Sequence, residues 1–591
     1  MRIVLHRDIP DDPLLQQKWN ALVQEMEHPE VFYTHQWALA ARRAFGESLL
    51  PILMFAYEGE KLAGVAALAT DPTEKTTSFL CSTSADYCDL LSHPDLRAEL
   101  LDAVLVELCR EGLPTLVLTS VPSDSATIQA LRSVARKHGH HLFVRPTAVC
   151  AQVELGAEGE RIKLKTALSK KKIFRHSMNS LGREGPVSFS HLTTWEAIEP
   201  VLTSFSVAHI ARFLAMGRVS NVVSAQRRVF LSTLARLLSE SGWMVVSRML
   251  VADRAVAWNY GFQFQGKWFW YQPTFDTSYE RLSPGYCLLN KIISEACDQT
   301  EIRVIDLGLG AEGYKERFAN GARTTLHATL MKSLGRHTRE ALRYHTAQAV
   351  KSVPGAESAA RAVLRYVGGA WPRFKEGGIP AFAERGAKKV VSWLNSSEEF
   401  IFYNWVDNQQ EPRSEGSSEE LTLRPIDLEM LAIAAMSYEN EEDTLSYLIR
   451  SARRLHSKTT QGLALIDAGN TPVHFCWVAD FEGFEMKELK TRLSAPSQNA
   501  AMICNCWTPQ SKRGREYFGT ALSLAARHVA ESGKAPWIFS AGTDRLSRQS
   551  IERAGFEKRY SVICKKTLAW KRVGTVACDQ PDPAKEAQVR S

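Results

Sequence analysis

One stretch of the sequence combines an apolar run, a glycine-rich break and a lysine. Residues 302–307 are β-branched and apolar and predict a buried strand that ends at Gly308 and Gly310. Glycine lets a backbone turn sharply or approach a ligand closely, and the short predicted helix that follows carries Tyr314 and Lys315. Such an arrangement commonly cradles a ligand. By itself, however, the spacing favours an ordinary strand-to-helix turn.

The same residues resemble the C-terminal signature of the CelD-type acetyltransferases. These proteins belong to the GNAT superfamily and are related to the Fem-type aminoacyl transferases of peptidoglycan synthesis. The residues that carry the signature are Asp306-x-Gly308-x-Gly310, Gly313-Tyr314-Lys315 and Phe318. The upstream residues that fit the resemblance, in order along residues 1–335, are Phe32 to Trp37, Phe45-Gly46, Asp86-Tyr87, Asp89, Leu168-Ser169-Lys170-Lys171-Lys172, His209, Arg212 and Leu282-Ser283-Pro284-Gly285.

A repeated order of elements indicates three copies of one domain. Three strands, a helix, a strand and another helix recur in residues 1–155, 156–335 and 421–573. The resemblance implies an α/β (α+β) fold with three GNAT-like acyl-CoA N-acyltransferase units. The first unit is degenerate and forms a Fem-like tandem with the second. Residues 336–420 predict a helical connector and linker, and residues 574–591 a disordered tail.

The composition is that of a soluble globular protein with several domains. The chain has 591 residues, of which 45% are hydrophobic and 23% charged. We expect a cytoplasmic protein without a transmembrane segment, because neither an apolar run of about 18 residues nor a signal peptide is visible. A net charge of +7 suits anionic cofactors but does not favour nucleic acid as a partner. The eleven cysteines are scattered, so we expect buried thiols and no metal site.

Ser283-Pro284-Gly285-Tyr286 predicts a helix start, because serine is a good N-cap and proline suits the first helical position. The resemblance implies that acyl-CoA binds where two neighbouring strands part, with its pyrophosphate at a helix start. A helix N-terminus offers unpaired N–H donors and a partial positive charge. Ser283, Gly285 and Tyr286 are therefore candidates for binding acetyl-CoA or another acyl-CoA. The same residues also fit an ordinary capped helix.

Arg513-Gly514-Arg515 resembles the GNAT pyrophosphate loop that opens a long helix. The next glycine of that loop is replaced by Glu516, whose carboxylate would repel a pyrophosphate if it faced one. Ile551 stands where the family often has a catalytic tyrosine. Arg513, Gly514 and Arg515 are thus candidates for cofactor binding in a unit without a standard general acid. We expect parted strands beside at least one of the two helix starts.

Amine acylation needs a base for the ammonium proton, donors for the oxyanion and an acid for the leaving thiolate. In the middle unit the candidates are His209, Asp306, Tyr314 and Lys315. The resemblance ranks Lys315 first, because the lysine of the related Fem motif lies at the active site, where it would stabilise negative charge or hold a phosphate. A lone helical histidine is more often structural, and a helical lysine is more often solvated.

A basic run and a group of aromatic residues are candidates for contact with the substrate. Residues 163–175 are rich in lysine and predict a solvated helix face, or a docking patch for CoA phosphates or an anionic acceptor. Core packing explains most aromatic residues in the strands that follow, and one strand face is a candidate sugar site. The candidate substrate-binding residues are Lys170, Lys171, Arg212 and Trp270.

The resemblance implies an acyl-CoA-dependent N- or O-acyltransferase linked to cellulose or exopolysaccharide synthesis. Its acceptor would be an amino sugar, a polysaccharide precursor or a related small molecule, and it would associate peripherally with a polysaccharide synthesis complex. Transfer would be direct, because no activated serine or cysteine nucleophile is visible. Two alternatives stay open: an aminoacyl-tRNA-dependent transferase acting on a peptidoglycan precursor, and a non-catalytic CoA-binding regulator.

Overall fold

The structure, a computed structural model, describes residues 1–352, 395–406 and 421–577 apart from positions 72, 311, 458, 490, 568 and 569. It divides into two compact units. The N-terminal unit comprises Met1–Arg212 and Ser220–Val353, and the C-terminal unit comprises Phe213–Val219 and Pro354–Ser591. Each unit is built around a large sheet of its own.

Strands and helices alternate along the N-terminal unit. Its described strands are β1 Arg2–His6, β2 Pro51–Glu58, β3 Lys61–Asp71, β4 Thr76–Phe79, β5 Leu91–Ser92, β6 Thr115–Pro122, β7 His141–Glu154, β8 Val187–Leu192, β9 Met244–Val251, β10 Arg254–Phe264, β11 Lys267–Phe275, β12 Val304–Leu309 and β13 Gly321–Met331. Its described helices are α1 Pro13–Gln24, α2 His35–Phe45, α3 Arg97–Arg110, α4 Ala126–His138, α5 Glu158–Lys170, α6 Lys172–Glu184, α7 Trp195–Ile198, α8 Leu202–Ala215, α9 Ala225–Glu240, α10 Pro284–Ala296 and α11 Leu334–Ser352.

The strands of the N-terminal unit form one sheet in the order β1-β2-β3-β4-β6-β13-β7-β12-β11-β10-β9-β8, with β5 paired to β3. The two predicted units in this region, residues 1–155 and 156–335, exchange their last strands. β13 lies between β6 and β7, and β7 pairs in turn with β12. We call these two parts the first half and the middle half. Each completes its backbone hydrogen bonding only with the other.

The helix α10 packs its apolar face on the middle half of this sheet. Residues at helical spacing share that face, and each such side chain contributes roughly 1.5–3 kcal/mol on full burial. Trp268 of β11 and Ile305 of β12 belong to the same buried cluster. The fully or almost fully buried residues of the helix face are Leu288, Leu289, Ile292 and Ile293. This packing fixes the N-terminus of α10 beside the two strands.

A buried ion cluster joins the two halves. Glu30 of the first half is fully buried, and its carboxylate pairs with Lys267 of β11 and, at 2.6 Å, with Arg323 of β13. Burial raises the pKa of Glu30, and the two cations oppose that shift. A buried carboxylate is tolerated only when it is paired in this way.

The C-terminal unit has a second mixed sheet. Its described strands are β14 Asn395–Trp405, β15 Thr422–Pro425, β16 Thr460–Ile466, β17 Pro472–Asp480, β18 Glu485–Met486, β19 Thr491–Arg492, β20 Ala500–Trp507, β21 Ala535–Ala541, β22 Phe556–Thr567 and β23 Trp570–Ala577. Its described helices are α12 Leu428–Ser437, α13 Glu442–Arg454, α14 Tyr517–Glu531 and α15 Arg545–Arg553. The sheet order is β15-β16-β17-β20-β21-β14-β22-β23, and β18 pairs with β19 separately.

Two predicted boundaries of the C-terminal unit differ from the structure. Residues 395–405, assigned from the sequence to the connector, form β14 between β21 and β22. The reason is an apolar run whose residues Phe402 and Tyr403 are fully buried in the sheet. β23 runs to Ala577, beyond the predicted start of the tail at residue 574. The rest of that tail and most of the connector after α11 lie outside the described residues.

One parallel strand pair lies in each of the three predicted units, and the other described pairs are antiparallel. The parallel pairs are β4 with β6, β11 with β12, and β20 with β21. Each follows a hairpin, and α3, α10 or α14 connects its two strands. The predicted mixed α/β class is thereby confirmed. Among the described helices, none combines the length and the hydropathy needed to cross a membrane.

We predict that Glu30→Ala destabilises the N-terminal unit by about 3–5 kcal/mol, because it leaves Lys267 and Arg323 buried without their carboxylate. Urea unfolding followed by circular dichroism measures the change. The matched control is Arg236→Ala, which removes the exposed Arg236–Glu240 pair, and it is expected to cost less than about 1 kcal/mol. Equal effects of the two variants would contradict a joining role for Glu30.

Candidate active site

The candidate site lies where β11 and β12 part. The strands pair in parallel as far as Phe269 and Asp306, after which β11 continues to Phe275 and β12 to Leu309 without pairing to each other. The start of α10 lies at this opening, because a Cβ placed on Gly285 would be 3.4 Å from the Phe275 ring. The parted strands expected beside the first helix start are therefore present.

The turn after β12 is tighter than the sequence predicts. The strand runs through Gly308 to Leu309, and its pairing with β7 shifts register across this glycine. Gly308 and Gly310 have φ angles of 69° and 113°, which favour glycine. The predicted short helix is a three-residue 3₁₀ turn, Lys315–Arg317. The glycines thus bend the chain within the strand itself and bring Lys315 back toward it.

Asp306 is a fully engaged carboxylate beneath this turn. It is 1% exposed, and it accepts hydrogen bonds from Tyr87 Oη at 2.7 Å, Gln152 Nε2 at 2.8 Å and the Gly308 amide at 2.8 Å. Tyr87 and Gln152 belong to the first half. Asp306, predicted as catalytic, is therefore placed to position the turn rather than to meet a substrate.

Asp86, which the sequence placed in the resemblance without giving it a role, lies against the same turn. A Cβ on Gly308 would come within 2.8 Å of the Asp86 Oδ2 atom, so only glycine leaves room for this carboxyl. Burial, followed by the charge of Asp306, raises the pKa of Asp86 to about 7, and Lys315 opposes the rise. A carboxyl with such a pKa can gain or lose a proton near neutral pH. The sequence signal for it was the motif Asp86-Tyr87.

A helical lysine is usually solvated, but Lys315 is buried. It is 4% exposed, its Nζ donates to the Leu309 carbonyl at 2.9 Å, and it pairs with Glu312 at 3.1 Å. A Cβ on Gly310 would lie 3.8 Å from the Nζ atom. The ammonium group is thus held inside the turn, within electrostatic reach of Asp86.

Three further predicted residues converge beside Lys315. Trp270 Nε1 donates to the Tyr314 hydroxyl at 3.0 Å, and the Arg212 guanidinium lies 5.4 Å from the centroid of Phe275. Burial, with Glu312, raises the pKa of Tyr314, which therefore keeps its proton at neutral pH. Trp270 is 3% exposed, so its indole positions Tyr314 instead of offering an open face to a substrate.

His209 supports the site from α8. It is 2% exposed, its Nδ1 lies 2.9 Å from Ser220 Oγ and its Nε2 lies 3.1 Å from Gln272 Oε1. Burial lowers the pKa of His209 to about 3, so the ring is neutral at physiological pH. The sequence made His209 a catalytic candidate. In the structure both of its ring nitrogens are engaged, and His209 ties α8 to β11.

The start of α10 offers backbone donors. Its first described intrahelical bond runs from the Cys287 amide to the Ser283 carbonyl, so the amides of Gly285 and Tyr286 precede it. Ser283 makes no side-chain cap, contrary to the sequence expectation, because it adopts a left-handed conformation with φ 52°. The side chain of Tyr286 packs on Phe318, with their ring centroids 4.8 Å apart.

One residue of the basic run, Lys171, lies beside the aromatic contact between Tyr286 and Phe318. Lys171, between α5 and α6, lies 4.4 Å over the Phe318 ring and donates to the Arg317 carbonyl at 2.8 Å. Burial lowers the pKa of Lys171. Lys170 is exposed at the end of α5, on the solvated face that the ordinary interpretation expects. Only Lys171 of the pair is therefore in contact with the surroundings of α10.

The second predicted helix start lies in the C-terminal unit and lines a cleft of about 2010 Å³. Arg513 Nε donates to the Thr508 carbonyl at 3.2 Å, Gly514 has a φ of 80°, and Arg515 donates to the Tyr517 hydroxyl at 3.2 Å. All three precede α14, as predicted. Here too the parallel strands, β20 and β21, stop pairing before they end.

Residues 169–316 match the family model described as Acetyltransferase (GNAT) domain. The matched stretch holds α10, β11, β12 and the turn with Lys315, and it leaves out Asp86 and the sheet of the C-terminal unit. The middle half therefore holds a stretch that matches a GNAT acetyltransferase domain. No curated protein matches the chain. In the described ranges, no group of three or more His, Cys, Asp and Glu side chains is placed to hold a metal ion.

Several solved structures are similar to about half of the chain. FemX is 9% identical, with a TM-score of 0.38, covering 55% of this chain and 97% of its own. L-PGS from Bacillus licheniformis is 10% identical, with a TM-score of 0.35, covering 56% and 94%. The tandem GNAT protein from the clavulanic acid biosynthesis pathway is 14% identical, with a TM-score of 0.32, covering 55% and 98%.

We predict that Asp86 makes the stability of the N-terminal unit depend on pH. Its folded pKa of about 7 lies above the ordinary value of 3.8, so the native state is favoured at low pH and loses stability as the pH rises from about 4 to about 7. Asp86→Asn removes this loss, by about 1.4 kcal/mol for each pKa unit that the native state imposes. The gain in unfolding free energy over the wild type should therefore grow between pH 5 and pH 8.

Urea unfolding at intervals of one pH unit measures this difference. The control is Asp253→Asn, at an exposed turn position, which is expected to show a difference that does not vary with pH. A constant difference for Asp86→Asn as well would show that this carboxyl does not titrate near neutrality.

Proposed function

We propose that the chain transfers an acyl group from an acyl-CoA to an amine or hydroxyl acceptor where β11 and β12 part. The observation that supports this most is the meeting of Asp86, Asp306 and Lys315 at the turn after β12. This turn closes the stretch that matches the GNAT domain. Asp86, whose pKa is about 7, belongs to the first half, so both halves contribute residues to the proposed site.

The start of α10 fits the phosphates of CoA. The amides of Gly285 and Tyr286 precede the first helical bond. Lys171 lies over the Phe318 ring, and the charge of Arg317 acts against the burial that raises the pKa of Tyr286. Backbone donors and cations together are what an anion at a helix N-terminus needs. Bound there, the thioester would supply the activated acyl group.

Asp86 is the proposed proton acceptor. An amine acceptor must lose a proton before or during attack, and a base with a pKa close to the working pH does this best. Asp86 as a residue is half-buried, whereas Asp306 is 1% exposed. Asp306 is then the positioning residue that keeps the turn, and with it Gly308, against Asp86.

Lys315 and Tyr314 are the proposed groups for developing charge. The ammonium group of Lys315 is fixed by two partners and needs no reorganisation to stabilise negative charge on the acyl oxygen. Tyr314 keeps its proton at neutral pH and so has a hydroxyl proton to give to a leaving thiolate. Arg212 lies close enough to lower the pKa of Tyr314 somewhat against the effect of burial.

The acceptor that we propose is an amino sugar, a polysaccharide precursor or a related small molecule in the cytoplasm. The support for it is the resemblance of the turn and its upstream motifs to the CelD type. Transfer of an aminoacyl group from tRNA is the alternative within the same superfamily, and it predicts that activity depends on charged tRNA rather than on a free acyl-CoA.

We predict that Asp86→Asn lowers acetyl-CoA turnover by about 10²- to 10⁴-fold, the range of a lost general base. Wild-type activity should rise with pH to a plateau, with an apparent pKa near 7, because only the ionised carboxylate accepts a proton. The activity of the variant should not show this rise with pH. Release of free CoA thiol with a panel of amino sugars measures both effects. If the activity of the variant still rises with pH in the same way, Asp86 is not the proton acceptor.

We predict that Lys315→Met lowers turnover by about 10²- to 10³-fold while leaving the binding of CoA within a few-fold, because the ammonium group acts on charge that develops during transfer. The matched control is Lys170→Met, an exposed lysine, which should turn over like the wild type. Thiol release and calorimetric titration with CoA give the two quantities. Full activity of Lys315→Met would contradict the proposed centre, and CoA binding without turnover in the wild type would favour the regulator.

A further inference from the structure

The helices α5 and α6 present a basic surface beside the candidate site. Both pack on α10, and Leu168 and Leu181 are buried in the cluster that α10 shares with β11 and β12. Arg161 holds the start of α5, because its guanidinium donates to the carbonyls of Gln299 at 2.8 Å and Ile302 at 2.6 Å. The inner sides of the two helices are thus fixed by packing and hydrogen bonds, and their outer sides face solvent.

The outer sides of α5 and α6 carry cations without acidic residues between them. Residues 161–183 contain eight lysines and arginines and no aspartate or glutamate. Lys165 pairs with Asp298, whereas five other cations are exposed and form no ion pair with any described residue. We call these five the basic face: Lys163, Lys170, Lys172, Arg175 and Arg183.

Helical spacing gathers the basic face on the side of each helix that lies away from the buried leucines. Lys163 and Lys170 are two turns apart on α5 and therefore share one side of it. Lys172 and Arg175 are neighbours at i,i+3 spacing on α6. Like charges that lie this close repel one another, and an anionic partner removes that cost.

Carboxylates lie at the ends of the basic face. Glu158 and Glu160 are in the first turn of α5, and Glu184 is the last residue of α6. The 3₁₀ turn that packs on α6 contains both Glu280 and Arg281, whose charges offset each other. The middle of the face therefore keeps its positive charge.

Two exposed isoleucines lie among these cations. Ile162 is 59% exposed next to Lys163, and Ile173 is 39% exposed next to Lys172. Apolar side chains beside lysine and arginine gain free energy when they enter the boundary between the headgroups and acyl chains of a bilayer. A nucleic acid backbone offers phosphates and sugars but no comparable apolar layer. The combination therefore favours a lipid surface over RNA as the partner.

We propose that the basic face and its two isoleucines dock the chain on a membrane surface rich in anionic lipids. Anionic headgroups attract lysine and arginine side chains that lie within a Debye length of them. Lys171, which joins the two helices, contacts the Phe318 ring and the Arg317 carbonyl, so the docked surface adjoins the start of α10. The proposal stands apart from the proposed function, because no residue of the basic face belongs to the proposed reaction centre.

Sedimentation of the full-length chain with lipid vesicles tests this proposal at low ionic strength. The wild type is expected to sediment with vesicles of equal parts phosphatidylglycerol and phosphatidylcholine, and far less with phosphatidylcholine alone. The triple variant Lys163→Gln/Lys172→Gln/Arg175→Gln should bind the anionic vesicles about 100-fold more weakly, because each cation near the surface strengthens binding roughly fivefold. The three side chains are exposed, so the fold should stay intact, which circular dichroism checks.

The double variant Ile162→Ser/Ile173→Ser tests the apolar part of the surface. It keeps every charge, so its binding should weaken by about tenfold while the dependence of binding on salt concentration stays that of the wild type. Unchanged vesicle binding by this variant, together with binding of tRNA by the wild type, would assign the basic face to RNA and overturn the membrane proposal.

Two controls show whether the effect belongs to this surface. The triple variant Lys18→Gln/Arg132→Gln/Arg136→Gln removes the same charge from exposed positions of α1 and α4 and should bind within a few-fold of the wild type. Lys315→Met should also bind the vesicles like the wild type, whatever it does to turnover. Absence of wild-type sedimentation with the anionic vesicles, or equal weakening by the two triple variants, would overturn the basic face as a membrane-docking surface.

Discussion

The carboxylate of Asp306 is the interaction on which the candidate site depends. It accepts hydrogen bonds from Tyr87 and Gln152 of the first half and from the Gly308 amide of its own turn. Hydrogen bonds to a carboxylate are stronger than those between neutral groups, and burial keeps water from competing for them. The turn after β12 is therefore held against the first half. Asp86 and Lys315 come within electrostatic reach of one another because that turn is held.

The exchange of β7 and β13 makes the first half part of the sheet that carries the candidate site. The first half has its own parallel strand pair and its own helix, α3, but its corresponding place is filled by protein groups. Arg97 is fully buried and pairs with Asp89 at 3.2 Å, and Asp95 and Glu99 place negative charge near the start of α3. Such a helix start does not suit a phosphate. The first half serves instead as a wall of the middle half's site.

The two units use the same parted strands differently. In the N-terminal unit Lys315 and Trp270 lie beside the opening and are almost fully buried. In the C-terminal unit the corresponding opening is a cleft of about 2010 Å³. Residue types account for this contrast. A lysine, a tyrosine and a tryptophan lie beside the first opening, whereas Ile551 belongs to the buried core beside the second.

The sequence alone determined the mixed α/β class, the start of α10 and the presence of a glycine-rich turn before Lys315, because strand and helix periodicity and glycine chemistry are local properties. It also singled out Lys315 and Arg513 by resemblance to spaced motifs. It missed β14, whose apolar run has no local sign of the sheet that it completes. Only the tertiary structure showed that strands are exchanged and that Asp86 faces Gly308. Burial and neighbouring charge come from residues far apart in the chain, so the neutral His209 and the raised pKa of Asp86 could not be read from the sequence.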